Sequence, residues 1–135
     1  VVIVSVEPQQ TDRVLEEIAE ELVTSRHLVI SIVTGVSIAQ MTRRIGKAVP
    51  IVRAMPNTAI AVRESMTCLA TNGAGDGAIE AAQSIFGTVG KTLVISEERM
   101  IAATALAHGM TVATRNTRDF AKAGADVVDP FRGVR

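Results

Sequence analysis

Two short stretches carry residues that could hold a ligand. The apolar run that opens the chain ends in Ser5-Val6-Glu7-Pro8-Gln9, and a second run leads into Arg53-Ala54-Met55-Pro56-Asn57-Thr58. In each, a proline stops the backbone from continuing as a central strand. In the second, Asn57 and Thr58 then offer short hydrogen-bonding arms. Open α/β sheets bind ligands outside the carboxyl ends of their parallel strands, so both stretches are candidate ligand turns. The same residue types also make turns that only end a strand, and spacing alone does not choose.

Other signals point less far. Gly73-Ala74-Gly75-Asp76-Gly77-Ala78 fits G-x-G-x-x-A, with Glu97 further on, and imitates a dinucleotide fingerprint. The strand before it, Met66–Ala70, is short and holds polar Thr67, which favours a plain loop before a helix. His27 and His108 lie near helix ends without partners at metal spacing and read as capping or surface residues. Cys68 sits in an apolar strand with no nearby histidine and reads as a small core residue. Arg43, Arg44, Arg115, Arg118, Arg132 and Arg135 read as solvated faces.

The chain that positions these residues, 135 residues with 47% apolar and 21% charged content, is expected to form one domain with a real core, and its composition excludes disorder. Fourteen basic and fourteen acidic residues cancel, which removes the bulk electrostatic argument for nucleic acid. Aromatic residues are 2%, with no Trp or Tyr to stack on bases. A single cysteine excludes an internal disulfide framework and a Cys-rich zinc site, and fits a reducing cytoplasm. No apolar run reaches the roughly 18–20 residues of a membrane span, and no basic stretch with a cleavage site marks a signal peptide. The expected partner is a small molecule; an oligomer is left open.

β-branched runs predict buried strands over 1–6, 28–34, 51–55, 67–70, 92–96, 111–114 and 126–128. Between them, Val14, Leu15, Ile18, Leu22 and Val23 share a helical face over about 11–24. Ser37 and Gln40 form a capping box for a helix to about Ile45. Asp76 can cap a helix ending at Gly87, and Ser96 an Ala-rich helix from Glu97 to about His108, stopped by Gly109. A last turn of helix covers 117–123. This alternation predicts a single-domain, mainly parallel Rossmann-like α/β three-layer sandwich.

In order, VVIVSVEPQ, ISIVTGVS, IVRAMPNTAIAVRESMT and IFGTVGKTLVISEERM resemble pyrroline-5-carboxylate reductase over about 1–106. MPNT after a strand arginine is the most specific part. The resemblance implies NADP or NAD with its nicotinamide end at Val6, Pro8, Met55, Pro56, Asn57 and Thr58. With the family's pyrophosphate-binding glycine turn missing and Glu7 set to repel phosphate, the expectation is no firmly bound cofactor and at most weak binding. Three positions depart from the family pattern: Glu7 stands for a lysine, Thr34 for the alanine before Gly35, and Ala59 for a proline. The family's opening βαβ unit and its C-terminal helical domain have no counterpart in this sequence.

From Met100, MIAATALAHGMTVATRNTRDFAKAGADVVDPF looks like the C-terminal end of a VapC-type PIN-domain ribonuclease, over about 98–135. That resemblance implies a Mg²⁺ site at Glu98, Asn116 and Asp119. The two resemblances overlap on an Ala-rich helix, and the start inside an apolar run reads as a fragment or a recombinant. The reading expected is therefore a recombinant or designed α/β scaffold without a complete catalytic site. The alternatives are a residual NAD(P)-binding part of the reductase and a metal-dependent ribonuclease remnant. In this account the strand at 111–114 lies beside the first strand, covers its edge and brings Glu7 toward Asn116 and Asp119.

Overall fold

A computed structural model of the chain describes residues 1–73, 75–107, 109–115, 117–122 and 124–130. The side chains at 75, 76, 103, 104, 106, 107 and 119 lie outside that description. Five strands form one sheet in the order β1-β2-β3-β4-β5: β1 (Val2–Val4), β2 (Val29–Ser31), β3 (Ile51–Met55), β4 (Ser65–Thr71) and β5 (Gly90–Val94). β1, β2 and β3 run parallel, β4 turns antiparallel to β3, and β5 is parallel to β4. The sheet is thus mixed and mostly parallel, as the alternation of apolar runs and helices predicts.

Helices α1 (Pro8–Ala19) and α2 (Ile38–Ile45) pack on each other, with α2 against β3. α3 (Gly75–Phe86) packs against β3, β4 and β5. Beneath α3, Ala78, Ala82 and Phe86 meet Leu28, Ile30, Val52, Ala54 and Leu69 in one apolar cluster. Strand alternation explains the partition: Val52 and Ala54 look toward α3, while Arg53 between them looks toward the other face.

The local signals behave as their chemistry requires. Pro8 opens α1, where its missing N–H is no loss. Both bonds of the Ser37–Gln40 capping box are present, and α2 stops at Gly46 in the left-handed conformation (φ 66°). His27 closes a turn beyond α1: its Nδ1 accepts from the Val23 N–H at 2.8 Å. α1 ends at Ala19, short of the expected Thr24, and the Lys47 ammonium donates to the Glu20 and Leu22 carbonyls just beyond it. β4 is longer than expected, because its polar Ser65 and Thr67 are buried and hydrogen-bonded to each other at 3.2 Å. A 3-10 helix over Thr58–Val62, absent from the sequence reading, follows Asn57.

Contacts divide the chain into two compact units, Val1–Ile95 and Ser96–Arg135. In the second, α4 (Glu97–Ala107) is the continuous helix expected, with Ser96 Oγ accepting from the Arg99 N–H at 3.4 Å. Strands β6 (Val112–Ala113) and β7 (Val127–Val128) pair in parallel across α5 (Thr117–Lys122). Ala102, Phe120 and Ala125 form its core, with Ile101, Val112 and Val127 packed on it. The expected pairing of 111–114 with the first strand is corrected here. β6 is only two residues long and finds its partner locally, through a single short crossover, in β7.

Candidate functional site

The register of the three parallel strands aligns their ends. Val4 lies beside Ser31, and Ser31 beside Arg53. Three residues beyond that row stand Glu7, Thr34 and Pro56, so the three outgoing turns open on the same edge. With neighbouring strands about 4.8 Å apart, the turns after β1 and β3 flank the turn after β2 at roughly 10 Å from each other. This carboxyl edge is where open α/β sheets take ligands.

Each turn is locally determined. After β1, Val6 is half-buried, and Glu7 and Pro8 are exposed. The Glu7 carbonyl accepts from the Gln10 N–H at 2.9 Å and from the Thr11 hydroxyl at 3.2 Å, which pins the entry to α1. After β2, the Val33 N–H bonds to Ser31 Oγ at 3.2 Å, and Gly35 adopts φ 79°, a conformation that suits glycine. After β3, Met55 and Pro56 are half-buried, and Asn57 and Thr58 are exposed. Asn57 Oδ1 accepts from the Met66 N–H at 3.4 Å. That bond assigns the amide orientation and leaves the Asn57 NH₂ group as a donor toward the outside. The six residues Val6, Pro8, Met55, Pro56, Asn57 and Thr58 are therefore brought to one edge. The sequence reading did not place the β2 turn among them, although Gly35 between Thr34 and the Ser37 cap was its signal.

Gly73–Ala78 is taken away from this edge. β4 runs antiparallel to β3, so its end at Thr71 lies beside the start of β3. The Asn72 side chain fastens it there, accepting from the Ile51 N–H at 3.3 Å and donating to the Val49 carbonyl at 3.5 Å. A glycine turn at the amino-terminal edge of β3 is no dinucleotide fingerprint for the carboxyl edge. Ala74 itself lies outside the described residues.

Of the proposed metal ligands, Glu98 is exposed in the first turn of α4. Asn116 and the Asp119 side chain lie outside the described residues. Among the described residues no three His, Cys, Asp or Glu side chains gather as a metal site. With β6 paired to β7, the premise that drew Glu7 toward Asn116 and Asp119 is absent. No described helix is long and apolar enough to cross a membrane.

The comparisons with known proteins bear on this edge. The chain is 44% identical over 140 residues to pyrroline-5-carboxylate reductase 1 of Dictyostelium discoideum, covering 94% of this chain and 25% of that protein. It is 38% identical to reductase 2 of the same organism, again over 94% of this chain and 48% of that protein. Over most of its length the chain is homologous to pyrroline-5-carboxylate reductases. It spans half or less of the length of these curated relatives. The pyrroline-5-carboxylate reductase of Coxiella burnetii superposes with a TM-score of 0.71 at 37% identity, over 77% of this chain and 39% of that one. A Plasmodium falciparum pyrroline carboxylate reductase solved with NADP bound superposes with a TM-score of 0.70 at 29% identity, over 78% and 42%. No protein-family model matches the chain.

These matches correct the reading of the tail. An alignment over 94% of the chain enters the segment after 106, so the pyrroline-5-carboxylate reductase homology continues there. Nothing in the matches supports a ribonuclease segment, a junction between two families or a designed scaffold. The physical reason for the false likeness is that an Ala-rich helix followed by a small βαβ unit is a generic α/β solution. A few residues such as TRN-x-x-DF on that frame carry little information.

Proposed function

We propose that this chain is the portion of a pyrroline-5-carboxylate-reductase-like enzyme that holds the nicotinamide end of NADP(H) or NAD(H). The observation that carries the proposal is the alignment of the three turns beyond Val4, Ser31 and Arg53 on one edge, in a chain homologous to reductases. When bound, the cofactor supplies a hydride to the carbon of the substrate's C=N bond. The protein's part is to bind and orient.

The residues fit that group. Val6 and Met55 are half-buried apolar side chains suited to the faces of a flat ring. Pro8 and Pro56 stiffen the turns, so little order remains to be acquired on binding. The outward Asn57 NH₂ and the Thr58 hydroxyl can meet a carboxamide oxygen or ribose hydroxyls. Some of the donors that phosphate would use at the two helix starts are lacking or taken. Pro8 lacks an N–H, and the Gln10 N–H is taken by Glu7. At α2 the Gln40 N–H is taken by Ser37. Binding through these turns is weak, on the order of millimolar, or about 4 kcal/mol.

The test is titration of the chain with NADPH, following nicotinamide fluorescence. Saturable binding is expected, with Asn57→Ala weakening it about fivefold, the worth of one net hydrogen bond of roughly 1 kcal/mol. No binding at 10 mM, or binding unchanged in both Asn57→Ala and Val6→Asp, overturns the proposal.

A further inference from the structure

We infer that Glu7 makes this edge select the oxidised cofactor, whose ring is a cation, over the reduced one. The inference rests on the reading above and adds to it the preference between the two redox forms.

Along the turns 5–9, 32–37 and 56–58, Glu7 is the one charged side chain. Its backbone is held, but its carboxylate is uncommitted. It makes no capping bond to α1. Ion pairs nearby on α1 and α2 belong to Arg13 with Glu17, and to Arg44 with Asp12 and Glu16. Among the described residues none pairs with Glu7, which is exposed. Arg53, the cation in the row from which these turns leave, is 4% exposed within β3 and has interactions of its own. These three turns thus carry one negative charge, at Glu7.

The two redox forms share every phosphate, ribose and adenine group and differ in the ring, which carries one positive charge when oxidised. Repulsion between Glu7 and the phosphates is common to both forms and cancels in their comparison. Attraction between Glu7 and the ring does not cancel. Two unit charges about 4 Å apart interact enough, even in water-like surroundings, to change an equilibrium constant roughly fivefold. The backbone of Glu7 is pinned by two hydrogen bonds to its carbonyl, which keeps the residue at this edge while its carboxylate stays free to turn toward the ring.

The experiment measures dissociation constants of NADP⁺ and NADPH for the chain, for Glu7→Gln and for Glu7→Lys. NADPH is followed by its fluorescence, and NADP⁺ by competition against it. Circular dichroism checks that the variants fold, as expected for a side chain that caps nothing. The ratio Kd(NADPH)/Kd(NADP⁺) should fall about fivefold in Glu7→Gln and further in Glu7→Lys, while NADPH itself binds more tightly to both. If both forms bind and the ratio is the same in all three proteins, the inference is wrong and the cofactor reading stands. If neither form binds any of the three, the cofactor reading fails and takes the inference with it.

Discussion

Gly90 lies opposite Ser65 in the parallel β4–β5 pair, so closely that a methyl group on Gly90 would stand 2.1 Å from the Ser65 carbonyl oxygen. The neighbouring backbone atoms would be equally intolerable, at 2.5 and 2.7 Å. Gly90 also has φ 148°. Gly90→Ala must therefore separate the two strands and is expected to cost about 3 kcal/mol or more. Gly77→Ala is the control: it lies in α3 with nothing within 4 Å of the added methyl, and should gain up to about 1 kcal/mol. Urea unfolding of the two variants checks both signs.

Arg63 carries the one positive φ of a non-glycine residue among the described ones, 60°. It ends the Thr58–Val62 helix, and its N–H reaches the Ile60 carbonyl at 3.2 Å. The left-handed conformation costs an L-residue about 1–2 kcal/mol, partly offset in glycine by its freer unfolded chain. Arg63→Gly should raise the unfolding midpoint by the equivalent of about 0.5–1 kcal/mol, with the urea m-value unchanged. Arg63→Val should lower it.

Ser37→Ala removes one half of the capping box at the start of α2 and should cost about 1 kcal/mol. That half is the bond from the Gln40 N–H to Ser37 Oγ at 3.2 Å, so the variant frees a donor at the carboxyl edge. Its thermal midpoint should fall, and rise again on adding sulfate more than the parent's does, read by differential scanning calorimetry.

Burial pushes the Cys68 thiol above its ordinary range. The neutral form is favoured in the folded protein, so the stabilisation is complete below the unfolded thiol's pKa, near 8.5. It is lost as the pH rises from there through the higher folded value, because the unfolded chain releases its proton first. Stability between about pH 8 and 10 should fall less steeply in Cys68→Ser than in the parent. The native thiol should also react with iodoacetamide at pH 8 more slowly than the denatured chain.

The elements were legible because local physics determines them. Pro8, the Ser37–Gln40 box, Gly46 and Ser96 mark helix ends through bonds made within four residues. Runs such as Ile51–Met55 could only be buried strands. The six residues of the ligand turns were legible for a related reason: a proline after an apolar run ends a strand whatever surrounds it. What the turns share was decided by pairing. Val4, Ser31 and Arg53 are far apart in the chain, and only the sheet register sets the turns that follow them on one edge. Strand direction was likewise a tertiary choice. An apolar run reads the same in either sense, so nothing in Met66–Ala70 announced that β4 runs backwards and carries Gly73–Ala78 to the far edge. The tail shows the same limit. Two-residue strands such as β6 and β7 hold too few side chains to specify a partner, and loop closure across α5, not sequence pattern, paired Val112 with Val127.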